Sequence, residues 1–138
     1  MTKKLEVLAK ARDLQPRLAA AADNLNAKIA EFEKALGSLK LGVVASVQLS
    51  GESESFGEYL RFAKWRDAWR LVVVEVDFHA DVNFELLQNK SRETRLAAVA
   101  LFPSLIEELL RSAEREIERV AASATAIDDL IKQVEKSS

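Results

Sequence analysis

Residues 106–134 read IEELLRSAEREIERVAASATAIDDLIKQV, and the spacing of apolar residues in this stretch decides what the chain can build. Ile106, Ala113, Val120, Ile127 and Val134 fall in one row at seven-residue intervals, and Leu110, Ile117, Ala124 and Ile131 form a second row four residues on. Two such interleaved rows mark a helix with one narrow apolar seam. A less regular version lies near the start of the chain, with Ala11, Leu18, Leu25 and Phe32 in one row and Leu8, Ala22, Ile29 and Leu36 in the other. Polar Gln15 interrupts the second row. The seams can be buried against each other within one chain, between subunits, or by a foreign helix.

Between the seams the pattern switches from helical spacing to alternation. Residues 39–50 place Leu41, Val43, Ala45, Val47 and Leu49 on one side and mostly small or polar residues on the other, as a half-buried strand does. Residues 50–55, SGESES, read as an acidic mobile loop without an apolar anchor. Strands are expected at 58–66 and 69–78, joined at Arg66-Asp67-Ala68. A three-residue loop sets Trp65 opposite Trp69, Phe62 opposite Val72 and Leu60 opposite Val74, gathering apolar side chains on one face. A two-residue turn at Asp67-Ala68 sets Leu60 against Glu75 instead, so the first register is preferred. Val72-Val73-Val74 is apolar on both faces, which calls for cover on both sides. Helices supply it on one side, and a second subunit is a candidate for the other.

The flanks complete the outline. A helix over 3–36 is expected to stop at Gly37, a residue suited to the left-handed position after a helix, and to kink at Pro16. Residues 82–90 read as a loop or one helical turn. Ser91 is placed to cap a helix, Glu93 suits its first turn, and Pro103 kinks a long helix spanning 91–135. The expected architecture is one α+β domain over 1–138, with 39–78 a three-stranded antiparallel β-meander packed on two long antiparallel helices that form a coiled-coil-like stalk.

Composition narrows the function classes. The chain has 138 residues, a net charge of −2 and no cysteine. Those numbers argue against a strongly basic nucleic-acid binder and exclude disulfides, thiolate zinc sites and cysteine nucleophiles. No apolar core follows Lys3 and Lys4 as a signal peptide requires, and no run reaches the roughly 20 apolar residues of a membrane span. A cytoplasmic protein with no membrane association is the expectation. The four glycines do not cluster into a phosphate loop, and no Gly-x-Ser-x-Gly elbow surrounds a serine. No catalytic residue and no cofactor is assigned.

Two constellations remain. Arg61, Lys64, Arg66 and Arg70 interleave with Tyr59, Phe62, Trp65 and Trp69, a mixture able to grip an acidic protein partner or to hold phosphates and stack bases. The partner-binding set taken from it is Tyr59, Arg61, Lys64, Trp65, Arg66, Trp69 and Arg70; the bland reading is a sheet whose aromatics pack and whose arginines face water. Glu75, Asp77, His79 and Asp81 alternate along the end of the third strand and would share a face if that strand stays extended. They form a weak candidate for a divalent cation or for acid–base chemistry in a metal-dependent enzyme, against the simpler reading of a solvated strand face.

The order helix, three-stranded meander, helix resembles that of small dimeric nucleoid-associated proteins, and the resemblance implies a nucleic-acid-binding homodimer. It lies in element order, with no motif residue shared. The leading expectation is a non-enzymatic interaction or scaffold protein, homodimeric through its seams or third strand, that presents the basic-aromatic hairpin to a protein partner.

Overall fold

A computed structural model describes residues 2–137 and shows an α+β chain. Its elements are α1 (Thr2–Ser38), β1 (Ala45–Ser53), β2 (Phe56–Trp65), β3 (Ala68–Asp77), β4 (Ala80–Leu86), a 3-10 turn (Leu87–Asn89), α2 (Arg92–Ala100) and α3 (Phe102–Ser137). The strands form one antiparallel sheet in the order β1-β2-β3-β4.

The sheet has four strands, one more than the alternation implied, because the third strand turns back at Phe78-His79 instead of running on to Asp81. Both turn residues are left-handed, with φ of 51° and 65°, the pattern of a type I′ hairpin. Bulky residues seldom adopt it, so nothing local announced the turn. All three hairpins close with two residues, at Glu54-Ser55, Arg66-Asp67 and Phe78-His79. Arg66 takes a positive φ of 58° and lets the strands meet one residue tighter than expected. The register is therefore Phe62 opposite Leu71, Leu60 opposite Val73 and Trp65 opposite Ala68, and both registers weighed from the sequence are corrected.

Two further expectations change. Residues 41–44 lie outside any strand, and β1 instead runs through the acidic stretch to Ser53. The pairing there depends on Gly51 and Gly57: a Cβ on Gly57 would meet the Ser50 carbonyl oxygen at 2.1 Å, and one on Gly51 the Phe56 carbonyl oxygen at 2.3 Å. Helix α1 continues past Gly37 to Ser38, and the left-handed residue after it is Lys40 (φ 53°). At the other flank Ser91 does cap α2, its side chain accepting a hydrogen bond from the Thr94 amide. The helix breaks at Leu101, and α3 starts just before Pro103, where a missing amide costs nothing.

Residues alternate between the two faces of the sheet, and each face has its own apolar cluster. Leu60, Phe62, Leu71 and Val73 turn toward the helices and pack with Ile29, Leu36, Ala98, Leu105 and Leu109. Val72, Val74 and Val76 turn the other way and pack with Tyr59, Trp65 and Leu86. Helix α3 lies over β1 and β2, and α1 over β3. Glu33 of α1 locks that contact. One carboxylate oxygen accepts from Arg70 Nε at 2.7 Å and the other from the Leu71 backbone amide at 2.8 Å, an amide beyond the end of the β3–β4 pairing.

The long helices are not antiparallel. Asn26 is hydrogen-bonded to Arg95, Phe32 stacks on Phe102 with ring centroids 4.1 Å apart, and Leu36 shares a cleft with Leu109. These contacts advance in the same sense along both partners, so α1 and the α2–α3 stretch run side by side in parallel. Each then leaves the sheet at an opposite end. Residues 2–21 of α1 and 117–137 of α3 are exposed throughout, so no stalk forms within the chain. Leu105 and Leu109 face the sheet, whereas the seam residues Ile106 and Leu110, one position on and about 100° round the helix, are 39% and 51% exposed.

Candidate functional site

Alternation places Tyr59, Arg61, Ala63 and Trp65 of β2 beside Val72, Val74 and Val76 of β3 on the face away from the helices. Among the described residues no helix packs on this cluster, yet Val72 and Val74 are fully buried. The curvature of the sheet explains it. Arg61 donates from Nε to Ser46 Oγ of β1 at 2.7 Å and from Nη1 to Asp81 Oδ2 of β4 at 2.8 Å. Those are the two outermost strands, roughly 14 Å apart in a flat sheet of standard spacing. One guanidinium can bridge them only because the sheet curls toward this side. Bulges at Leu49 and Val82 accompany the curl, as bulged strands bend.

At the Trp65 end the curl opens into a pocket of about 520 Å³ lined by Val44, Arg61, Ala63, Lys64, Trp65, Arg66, Val72 and Phe84. Its floor is apolar, with the Trp65 and Phe84 rings 6.3 Å apart and tilted. Three of its residues are cationic and none is acidic. Arg61 is already bound to Asp81 and Lys64, opposite Trp69, faces the helix side, but Arg66 makes no ion pair among the described residues. The pocket can therefore take an apolar group that carries a negative charge at its edge, since an unpaired cation beside a partly desolvated surface favours an anion.

The sequence-derived partner set divides across the sheet. Arg61, Trp65 and Arg66 meet at the pocket, whereas Lys64 lines its rim from the strand but, opposite Trp69, turns its side chain to the helix side. Tyr59 lies on the same face but further along, packed on the valine cluster and donating its hydroxyl to the Glu54 carbonyl at 2.9 Å. Trp69 is on the helix side, 5.6 Å from Phe62 between ring centroids, and Arg70 is neutralised by Glu33. The expectation that both tryptophans serve one surface is corrected, because adjacent strand positions on a two-residue hairpin face opposite ways. Val44 and Phe84 were missed. Phe84 was legible in principle, since Val82, Phe84 and Leu86 alternate with Asn83 and Glu85.

The acidic candidate set does not assemble. The chain reverses at Phe78-His79, which puts Asp77 and Asp81 on different strands. Asp81 is held by Arg61, the His79 ring is hydrogen-bonded to Ser55 Oγ at 2.6 Å, and Glu75 stands opposite Glu58 on the helix side. Among the described residues no group of three or more potential ligands is placed to hold a metal ion. The premise of an extended strand fails. Elsewhere, the Glu108 carboxyl is held below its ordinary value, chiefly by a hydrogen bond from Arg115 and, against some burial, also by Arg111.

No family model, curated protein or solved structure matches this chain. The fourth strand also removes the element order on which the resemblance to nucleoid-associated proteins stood. No helix among the described residues is long and apolar enough to cross a membrane.

Proposed function

We propose that this chain is a non-enzymatic interaction protein that self-associates through its helices and captures a protein partner in the pocket at the mouth of the curled sheet. The observation that carries this reading is an apolar floor of Val72, Trp65 and Phe84 edged by Arg66, a cation that makes no ion pair among the described residues. An acidic-apolar peptide segment matches it: a Leu or Phe side chain fills the floor while a neighbouring carboxylate meets Arg66. Trp and Arg are also the residue types that concentrate binding energy in protein interfaces.

The test uses Trp65 itself as reporter, with Trp69→Phe removing the second indole. Peptides bearing Asp or Glu beside Leu or Phe are titrated in, alongside duplex and single-stranded oligonucleotides. Saturable change with the peptides, weakened by Arg66→Ala, supports the reading. Response to oligonucleotides alone, falling steeply with salt, would replace it with a nucleic-acid interface. Silence from every probe would overturn it.

A further inference from the structure

The arms of α1 and α3 are each about 20 residues, or roughly 30 Å, and each exposes an apolar seam. Leu8 and Leu18 on one arm are 49% and 52% exposed, and Ile127 and Ile131 on the other 57% and 48%. The arms point away from the sheet in opposite directions, so within one chain they never meet. A two-fold axis across the molecule brings them together: it lays the α3 arm of a second copy along the α1 arm of the first, antiparallel, and repeats the contact at the other end.

Charge selects this pairing over like with like. On α3, Glu107, Glu114, Asp128 and Glu135 form one acidic column beside the seam, broken only by Ala121. Two α3 arms packed antiparallel would set that column against itself. The corresponding column on α1 is Leu5, Arg12 and Ala19, without an acid. Residues 2–21 carry Lys3, Lys4, Lys10, Arg12 and Arg17 against Glu6 and Asp13, a net +3. Neither Arg12 nor Asp128 makes an ion pair among the described residues.

Shape fixes the register. A groove of about 540 Å³ beside Leu18, Ala22 and Leu25 opens where α1 leaves the sheet, and one of about 430 Å³ beside Ile117, Val120 and Ala124 opens where α3 does. Run antiparallel, they match large against small, Leu18 on Ala124 and Ala22 on Val120. The same register sets Leu8 on Val134, Ala11 on Ile131 and Arg12 beside Asp128.

We infer that the arms clasp a second copy of this chain, α1 of each protomer lying antiparallel along α3 of the other in the Leu18–Ala124 register. This rests on the self-association proposed above and specifies its surface. Cysteine pairing tests it cleanly, because the chain has no cysteine. Leu18→Cys with Ala124→Cys, mildly oxidised, is expected to give a covalent dimer on a non-reducing gel, while each single variant gives none. Light scattering on the unmodified protein is expected to read twice the 15.3 kDa chain mass.

A dimer by scattering without the bridge overturns the clasp and leaves self-association standing. A monomer at every concentration overturns both. A ladder of higher multiples overturns the closed two-fold, since head-to-tail copies pair these arms in parallel. Ile131→Asp, 48% exposed in its own chain and set on Ala11 by this register, guards against misfolding of the double variant. It is expected to raise the dimer dissociation constant about 100-fold or more with an unchanged Trp69 emission, two seam sites being lost per dimer. An unchanged dissociation constant overturns the clasp.

Discussion

Removing the Glu33 carboxylate should cost more than removing the arginine it binds. Glu33→Ala strands the Leu71 backbone amide, whose residue is 1% exposed, and a buried donor left without a partner costs about 1–3 kcal/mol. It also frees Arg70, whose side chain is 28% exposed and can turn to water. The usual penalty for breaking a buried pair is therefore discounted to about 1 kcal/mol. The sum is about 3 kcal/mol, a large part of the roughly 7–20 kcal/mol expected for a chain of this size. Arg70→Ala leaves Glu33 bonded to the Leu71 amide and should cost about 1 kcal/mol. Urea unfolding followed by the emission of Trp69, which packs in the helix-side core, measures both. In a thermal melt Glu33→Ala should lower Tm by about 6–12 °C. If Arg70→Ala proves the more damaging, or Glu33→Ala costs under about 1 kcal/mol, the carboxylate is not the acceptor that ends the β3 ladder, and the account of how α1 docks is wrong.

Two other perturbations read the structure independently. Replacing Phe78-His79 with Asn-Gly supplies the residues that favour two left-handed positions and should stabilise the chain by about 1 kcal/mol, after losing the exposed His79–Ser55 hydrogen bond and the Phe56–Phe78 ring contact. A lower urea midpoint would show that the turn is not strained. The Glu108 carboxyl lies below its ordinary value in the folded chain, so its stabilisation is present above pH 4.5 and lost as pH falls through the folded value. Arg115→Gln should raise that value toward 4.5, read from the Glu108 carboxyl carbon in an NMR titration, and an unmoved curve would refute the assignment to Arg115.

The helices were legible because seven-residue spacing survives without context, and Ser91 was legible because a cap is a local hydrogen bond. The direction of the helices was not. Spacing shows that Leu18 and Ile117 belong to seams, but it carries no sign for the packing of α1 against α3, which is set by contacts such as Phe32 on Phe102. The fourth strand was hidden for a different reason. Val82, Phe84 and Leu86 alternate as a strand should, but hairpin turns are recognised by Asn-Gly or Asp-Gly, and here the turn residues are Phe78 and His79. That one unmarked turn also carried Asp81 away from Glu75. Half of the pocket was visible in Arg61, Lys64, Trp65 and Arg66. Val44 and Phe84 come from the flank of β1 and from β4, and only the curl joins them.

The two apolar clusters are separated by a single layer of backbone. Val74 and Leu60 each reach full burial, but on opposite sides of that layer and in separate clusters. The sheet thus acts as a partition, and losses on the two sides should add instead of compounding. The outer side can accordingly be recut around Trp65 and Phe84 for a different occupant while the inner side, with its helices, keeps the chain folded.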